Sequence, residues 1–227
     1  MGVDVVPALL PARVPVRDSD DTFPVHRIYC VGRNFADHAR EMGAEVPRGR
    51  PVFFMKPADA ASPAADIPYP GATADLHHEV ELVVALGRDA NGEVPIASAL
   101  DLVFGYGVGL DLTRRDLQAE AKDKRLPWDI AKGFDHSAPI SALVPASGGV
   151  PQGTLWLRVN GQPRQQAALT DMVFSVPEIL HELSKLFALR AGDLVFMGTP
   201  AGVAALHRGD RVHAGVDGLV EFEGRIL

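Results

Sequence analysis

The chain has 227 residues, 47% hydrophobic and 22% charged, enough for one large domain with a substantial core. Its net charge of −7 argues against an extended nucleic-acid surface, while a local basic pocket remains compatible with it. The single cysteine, Cys30, excludes an intrachain disulfide and a Cys-based zinc cluster and fits a reducing, cytoplasmic setting.

Residues 1–24 read as an extended arm broken by Pro7, Pro11 and Pro15, with neither the basic start nor the long apolar core of a signal peptide. No apolar run approaches the roughly 20 residues that span a membrane. The folded domain is expected over 25–227. Arg27 to Val31 reads as a strand that stops at Gly32, after which Asn34 caps a short helix ended by Gly43. His38 and Glu41 lie three apart on that helix and share a face. Such a pair is either a general base with its orienting carboxylate or a plain surface contact. Val52 to Met55 is a second strand, and Lys56, ahead of Pro57, faces either a cleft or solvent. A proline- and alanine-rich loop follows, with an edge segment at 66–70.

Leu76 to Gly87 reads as a strand running into a turn. Glu79 and Glu81 are two apart, on one face, about 7 Å from each other along the backbone. Leu82 to Leu86 is apolar without alternation, the pattern of a strand buried on both faces. Two like charges entering it need a positive partner, which a divalent cation or cationic side chains can supply; a solvated strand end would remove the need. Strand alternation sends His78 to the face opposite Glu79. Residues 94–101 hold a short helix, and Val103 to Leu110 is a strand. Its Gly105, Gly107 and Gly109 have the spacing of close backbone approach, not of a dinucleotide fingerprint. That strand delivers Asp111. Thr113 and Asp116 then open a charged helix.

Residues 127–135 form a tight loop carrying Lys132, and Asn160-Gly161 marks a β-hairpin. Ser175 to Glu178 is a capping box opening a helix whose polar face carries a solvated His181. Gly198 to Gly202 is a plain turn or a loop offering backbone N–H groups and the Thr199 hydroxyl to a carboxylate. Many short strands with few helices make the chain a β-dominated α+β protein.

Several of these pieces fall in one order. Gly32-Arg33-Asn34 with Asp37, His38 and Glu41 comes first, then Phe54 to Pro57 and His78-Glu79-x-Glu81. Leu110 to Thr113 with Arg115 and Gln118 follows, then Ala131 to Phe134 and Gly198-Thr199-Pro200. This order and spacing resemble the fumarylacetoacetate hydrolase family over residues 25–225, most of all its acylpyruvate hydrolases. Phe53 to Asp59 and Gly133 to Pro139 are similar to bacterial fumarylpyruvate hydrolases of the gentisate pathway. Phe35 stands where many relatives have tyrosine.

The resemblance implies a mixed β-sandwich roll, a homodimer, and Mg²⁺ or Mn²⁺ held by Glu79, Glu81 and Asp111. It implies a lid containing His38 and Glu41, with Lys132 beside the metal. The reaction implied is hydrolysis of the C–C bond of a 2,4-dioxo acid, with fumarylpyruvate giving fumarate and pyruvate in aromatic degradation. In that scheme His38, oriented by Glu41, deprotonates the attacking water, while the metal and Lys132 stabilise the departing enolate. Three carboxylates and a divalent ion would leave one negative charge for Lys132 to neutralise. Arg33, Lys56 and Arg115 are candidate cations for a second substrate carboxylate, and Gln118 and Thr199 for the pyruvoyl end. The same centre would also suit oxaloacetate decarboxylation or a hydroxy-dienoate isomerase or decarboxylase. No nucleic acid or membrane is expected as a partner.

Overall fold

The computed structural model describes residues 5–7, 10–41, 43 and 49–227. Met42, at the end of the first expected helix, and six residues of the expected arm lie outside the described residues. The chain opens with β1 (Arg13–Pro15) and β2 (Thr22–Pro24), paired antiparallel, then β3 (Arg27–Gly32) and α1 (Ala36–Glu41). Next come β4 (Val52–Lys56), β5 (Ala61–Pro63), β6 (Asp66–Ile67), β7 (Leu76–His77) and β8 (Val80–Leu86). A 3₁₀ segment over Ile96–Leu102 leads into β9 (Val103–Leu110) and β10 (Thr113–Arg114), followed by α2 (Arg115–Asp123) and α3 (Asp129–Lys132). Then follow β11 (Ala138–Ile140), β12 (Val144–Pro145), β13 (Thr154–Val159), β14 (Gln162–Ala168) and α4 (Val176–Ser184). The chain closes with β15 (Asp193–Phe196), β16 (Ala205–Leu206), β17 (Arg211–Val216) and β18 (Val220–Ile226).

The main sheet runs β4-β3-β15-β8-β9-β11-β5, with β12 also on β9; a second runs β14-β13-β17-β18-β6. Parallel pairs (β3 with β15, β5 with β11, β6 with β18) sit among antiparallel ones, so the architecture is mixed. The expected β-dominated α+β fold is therefore present. Between the sheets, Leu82 and Val84 of β8 share one core with Leu155 and Leu157 of β13, Val212 and Ala214 of β17, and Ile179 and Leu183 of α4. Val83 and Ala85 lie on the other face, beside Leu194 and Phe196 of β15 and Ile28 and Cys30 of β3, in a second core that includes Val14 and Phe23 of the arm. Every residue of β8 is buried, as its unbroken apolar run predicts. Burial of each valine and leucine in it contributes about 1.5–3 kcal/mol.

Two glycines permit close approach along β9. A Cβ on Gly105 would lie 2.4 Å from the Val144 carbonyl oxygen, and one on Gly109 would lie 2.7 Å from Phe196 Cε1. The Asn160-Gly161 hairpin forms as expected, with both residues at positive φ (52° and 77°). The Glu178 carboxylate accepts from both the N–H and the hydroxyl of Ser175 at the start of α4.

Other expectations fail locally because tertiary partners compete with local ones. Asn34 caps no helix: its side chain is buried, donating to the Phe174 and Met197 carbonyls and accepting from the Phe174 N–H. Thr113 lies in β10, its hydroxyl on the Asp111 carbonyl, while Asp116 accepts from Thr73, Ala74 and Leu117. His181 is not solvated; its Nδ1 hydrogen-bonds the Val94 carbonyl at 2.8 Å and its side chain is 18% exposed. The expected tight loop at Lys132 contains the short helix α3. Gly105→Ala should cost about 1–3 kcal/mol, because the obstructing atom is backbone and cannot swing aside; chemical denaturation measures it.

Candidate active site

The ladder between β8 and β9 builds the centre of the site. Glu81 pairs in register with Gly109 and Val80 with Leu110, which brings Asp111 beside Glu79, whose carbonyl accepts the Asp111 N–H at 2.8 Å. Glu79 occupies the break between β7 and β8. Carboxylate oxygens of Glu79, Glu81 and Asp111 all lie within 4.8 Å of one another, and the residues are only 5%, 2% and 0% exposed.

Three cations face these three carboxylates. Lys132 Nζ donates to Glu79 at 2.8 Å, to Asp111 at 2.5 Å and to the Thr113 hydroxyl at 2.7 Å. Arg115 reaches Glu79 at 2.5 Å, and Lys56 Nζ lies 2.8 Å from Asp111 Oδ1. Lys56 is misaligned for a hydrogen bond there, and its Nζ donates to the Leu112 and Lys132 carbonyls instead. Burial pushes the Glu79 carboxyl up, but Lys132, Arg115 and His38 outweigh it and hold Glu79 well below the usual carboxylate range. Glu81 goes the other way: burial, then repulsion from Asp111 and Glu79, raise it well above. Burial opposes the charge on Lys132, yet Asp111 and Glu79 hold its pKa above the ordinary lysine value.

This donor set fits a divalent cation. Hard cations take carboxylate oxygens, Asp111 Oδ1 is buried without a hydrogen bond, and among the described residues Glu81 has no cationic partner of its own. The cation and side-chain answers to the carboxylate problem therefore coexist. Three cations already balance three carboxylates, so an added divalent ion would leave two positive charges in surplus. That replaces the count in which Lys132 alone completed neutrality.

The cleft in front of the triad has a volume of about 240 Å³ and is lined by Arg33, His38, Arg115, Gln118 and Thr199, together with the three carboxylates and Lys132. Arg33 is presented from a backbone at φ 61°. Lys56 is not on the cleft wall; it lies behind the carboxylates, 2% exposed. Arg115 also holds Gln118 Oε1, at 2.6 Å. On α1, His38 Nδ1 is 3.3 Å from Glu41 Oε2, a long contact. Both Glu41 oxygens accept the Gly202 N–H at 3.1 Å, so the 198–202 loop anchors the carboxylate. Burial lowers the His38 pKa below its ordinary value, against the pull of Glu79 and Glu41. The loop N–H groups do meet carboxylates, but the chain's own: Gly198 N–H donates to Glu81 at 2.6 Å. His78 turns away from the triad to Gln165 Oε1 at 2.8 Å, and burial takes its pKa down to about 4.

Sequence reasoning did not single out Phe54, Lys122 and Trp128 as site residues, although each lines the cleft. It also passed over Gln165, buried behind Thr199. The Pro127-Trp128-Asp129 run was a signal for Trp128; Gln165, on a largely polar hairpin strand, carries none.

A family model described as Fumarylacetoacetate (FAA) hydrolase C-terminal matches residues 27–227, and the chain belongs to the fumarylacetoacetate hydrolase family. It is 45% identical over 203 residues to oxaloacetate tautomerase FAHD1, mitochondrial, of Rattus norvegicus, covering 88% of this chain and 90% of the relative. The crystal structure of fumarylpyruvate hydrolase from Pseudomonas aeruginosa in complex with Mn²⁺ and pyruvate matches with a TM-score of 0.95 and 45% identity, over 99% of each chain. The 5-carboxymethyl-2-hydroxymuconate delta-isomerase of Mycobacterium smegmatis matches with a TM-score of 0.79 and 29% identity, over 92% of this chain and 86% of that one. The family thus spans hydrolase, tautomerase and isomerase chemistry on one fold. Among the described residues, no helix is long and apolar enough to cross a membrane.

Mn²⁺ at about a hundredfold excess over its dissociation constant should stabilise the fold by about 2.7 kcal/mol, seen as a raised thermal midpoint. Glu81→Gln should abolish that rise without lowering the metal-free midpoint, since it removes a repelled carboxylate.

Proposed function

We propose that the chain hydrolyses the C–C bond of a 2,4-dioxo acid, with fumarylpyruvate cleaved to fumarate and pyruvate as the preferred reaction. The observation that carries this reading is that His38, paired with Glu41, lines the cleft that holds the Glu79, Glu81 and Asp111 triad. Hydrolysis needs a base for water, and such a pair supplies one.

A divalent cation, Mg²⁺ or Mn²⁺, on Glu79, Glu81 and Asp111 would polarise the 2-oxo acid end and stabilise negative charge arising there. The surplus of two positive charges suits a carboxylate plus an enolate, the charges carried by the pyruvoyl end once the bond between C3 and C4 breaks. Lys132 adds a fixed positive charge beside that position, held by Glu79, Asp111 and Thr113. Gln118 and Thr199 lie on the cleft wall where the pyruvoyl oxygens would bind. His38 Nδ1–H donates to Glu41, which leaves Nε2 to accept a proton from water; burial keeps the ring neutral and ready to do so. Glu41, fixed by the Gly202 N–H, favours the imidazolium as it forms. For the distal carboxylate, Arg33 is the candidate in position, since Lys56 lies behind the triad and Arg115 is tied to Glu79 and Gln118.

The P. aeruginosa neighbour with Mn²⁺ and pyruvate supports this reading. The tautomerase named in the rat relative supports a second, in which the same centre acts on oxaloacetate through its enolate. Incubating the protein with fumarylpyruvate, acetylpyruvate and oxaloacetate, with Mg²⁺ supplied and then chelated, separates the two. Fumarate and pyruvate should form with metal only, and oxaloacetate should turn over more slowly; the opposite order would favour the second reading. The resemblance also carries a cytoplasmic homodimer serving aromatic degradation, and sedimentation at twice the chain mass tests the dimer.

His38→Ala should lower kcat by about a hundred- to ten-thousandfold with Mn²⁺ affinity retained, whereas Glu81→Ala should lose both; full turnover in His38→Ala would sink the base assignment. On the acid side, kcat/KM should fall with a pKa below the ordinary histidine value of 6.5, because burial disfavours the imidazolium. Glu41→Gln removes a group that favours the charged ring, so that limb should move to still lower pH.

A further inference from the structure

The network behind Thr199 fixes more than packing. Thr199 lines the cleft, and its hydroxyl oxygen lies 2.7 Å from Gln165 Nε2. The orientation of the Gln165 amide follows from two backbone groups whose roles admit no choice. Val80 N–H can only donate, and it lies 3.1 Å from Oε1; the Pro200 carbonyl can only accept, and it lies 2.8 Å from Nε2. A flipped amide would set N–H against N–H and oxygen against oxygen, in a site where Gln165 is 2% exposed. Nε2 therefore donates to Thr199. His78 Nδ1, 2.8 Å from Oε1, must donate as well, since Oε1 has only lone pairs to offer.

The consequence falls on the threonine. With its oxygen accepting from Gln165, its own hydrogen must point elsewhere, and among the described residues no acceptor takes it. We infer that Gln165 is a positioning residue that turns the Thr199 hydroxyl hydrogen away from itself and toward the cleft, presenting Thr199 as a donor to a carboxylate or enolate oxygen of the bound ligand. By filling one of the two lone pairs of the hydroxyl oxygen, Gln165 biases Thr199 toward donating, and a donor binds an anionic oxygen more strongly than a neutral carbonyl. The inference rests on the 2-oxo acid reading of the cleft and names how its anionic end is selected.

The test measures pyruvate binding to the Mn²⁺-loaded protein by calorimetry, so that it needs no turnover. Thr199→Val should weaken pyruvate about tenfold or more, the share of a hydrogen bond to a charged group, and Thr199→Ser should restore it. Gln165→Glu presents only acceptors when ionised, turns the hydroxyl inward, and should lose about as much. In Thr199→Val/Gln165→Glu the two losses should not multiply, because both remove the same donor. Should the glutamate variant not fold, Gln165→Met removes the donor without turning the hydroxyl inward, so it should weaken pyruvate less than Thr199→Val does; an equal loss with lowered Mn²⁺ affinity would overturn the inference. A merely structural Gln165 would lower Mn²⁺ affinity and multiply with Thr199→Val, which overturns the inference, as does wild-type pyruvate affinity in Thr199→Val. Wild-type protein that binds no pyruvate with Mn²⁺ would overturn the 2-oxo acid reading itself.

Discussion

Three carboxylates brought together at a dry end of the main sheet are the constraint around which the structure is arranged. Isolated there, each would be driven to its neutral form, since desolvation and mutual repulsion act in the same direction. Cations come from three separate elements to meet them: Lys56 from the end of β4, Arg115 from the start of α2, and Lys132 from the end of α3. Glu81, which no cation pairs directly, rests on the Gly198 N–H and is the group left most strained toward protonation. A cluster so arranged has balanced charge yet retains oxygen donors for a divalent ion.

The 198–202 loop ties that charged end to the His38–Glu41 pair. Gly198 holds Glu81, Gly202 holds Glu41, and Thr199 stands between them on the cleft wall. Helix α1 spans only Ala36–Glu41, too short to persist by its own hydrogen bonds. It is held from outside, by the Phe35 bridge to Met172, by the buried Asn34 side chain and by the Gly202 contact to Glu41. On the proposed reading, so slight an element beneath His38 suits a group that must admit and release a ligand, while the triad stays fixed in the sheet.

Hydrolase, tautomerase and isomerase names occur among the proteins this chain resembles, so fold alone does not fix the reaction. What distinguishes hydrolysis is a water and a base to activate it. Under the proposed reading, the His38–Glu41 pair is the feature of this chain that bears on reaction type, and the triad is the feature that bears on where the 2-oxo acid end binds.

Some of this was written in the local sequence. The unbroken apolar run of β8, the Asn160-Gly161 turn and the Ser175–Glu178 box each specify structure through neighbouring residues, so they are readable without the fold. The Glu79/Glu81 spacing and the i, i+3 placement of His38 and Glu41 are local in the same sense, and they pointed to the site. What only the tertiary structure decided was where long polar side chains find partners. Lys56 went behind the carboxylates rather than to the cleft, Asn34 to Phe174 and Met197 rather than to a helix end, His181 to the Val94 carbonyl, and Gln165 to Thr199. A buried polar group must be satisfied by whatever the packed chain brings within about 3 Å, and that depends on contacts between residues dozens of positions apart.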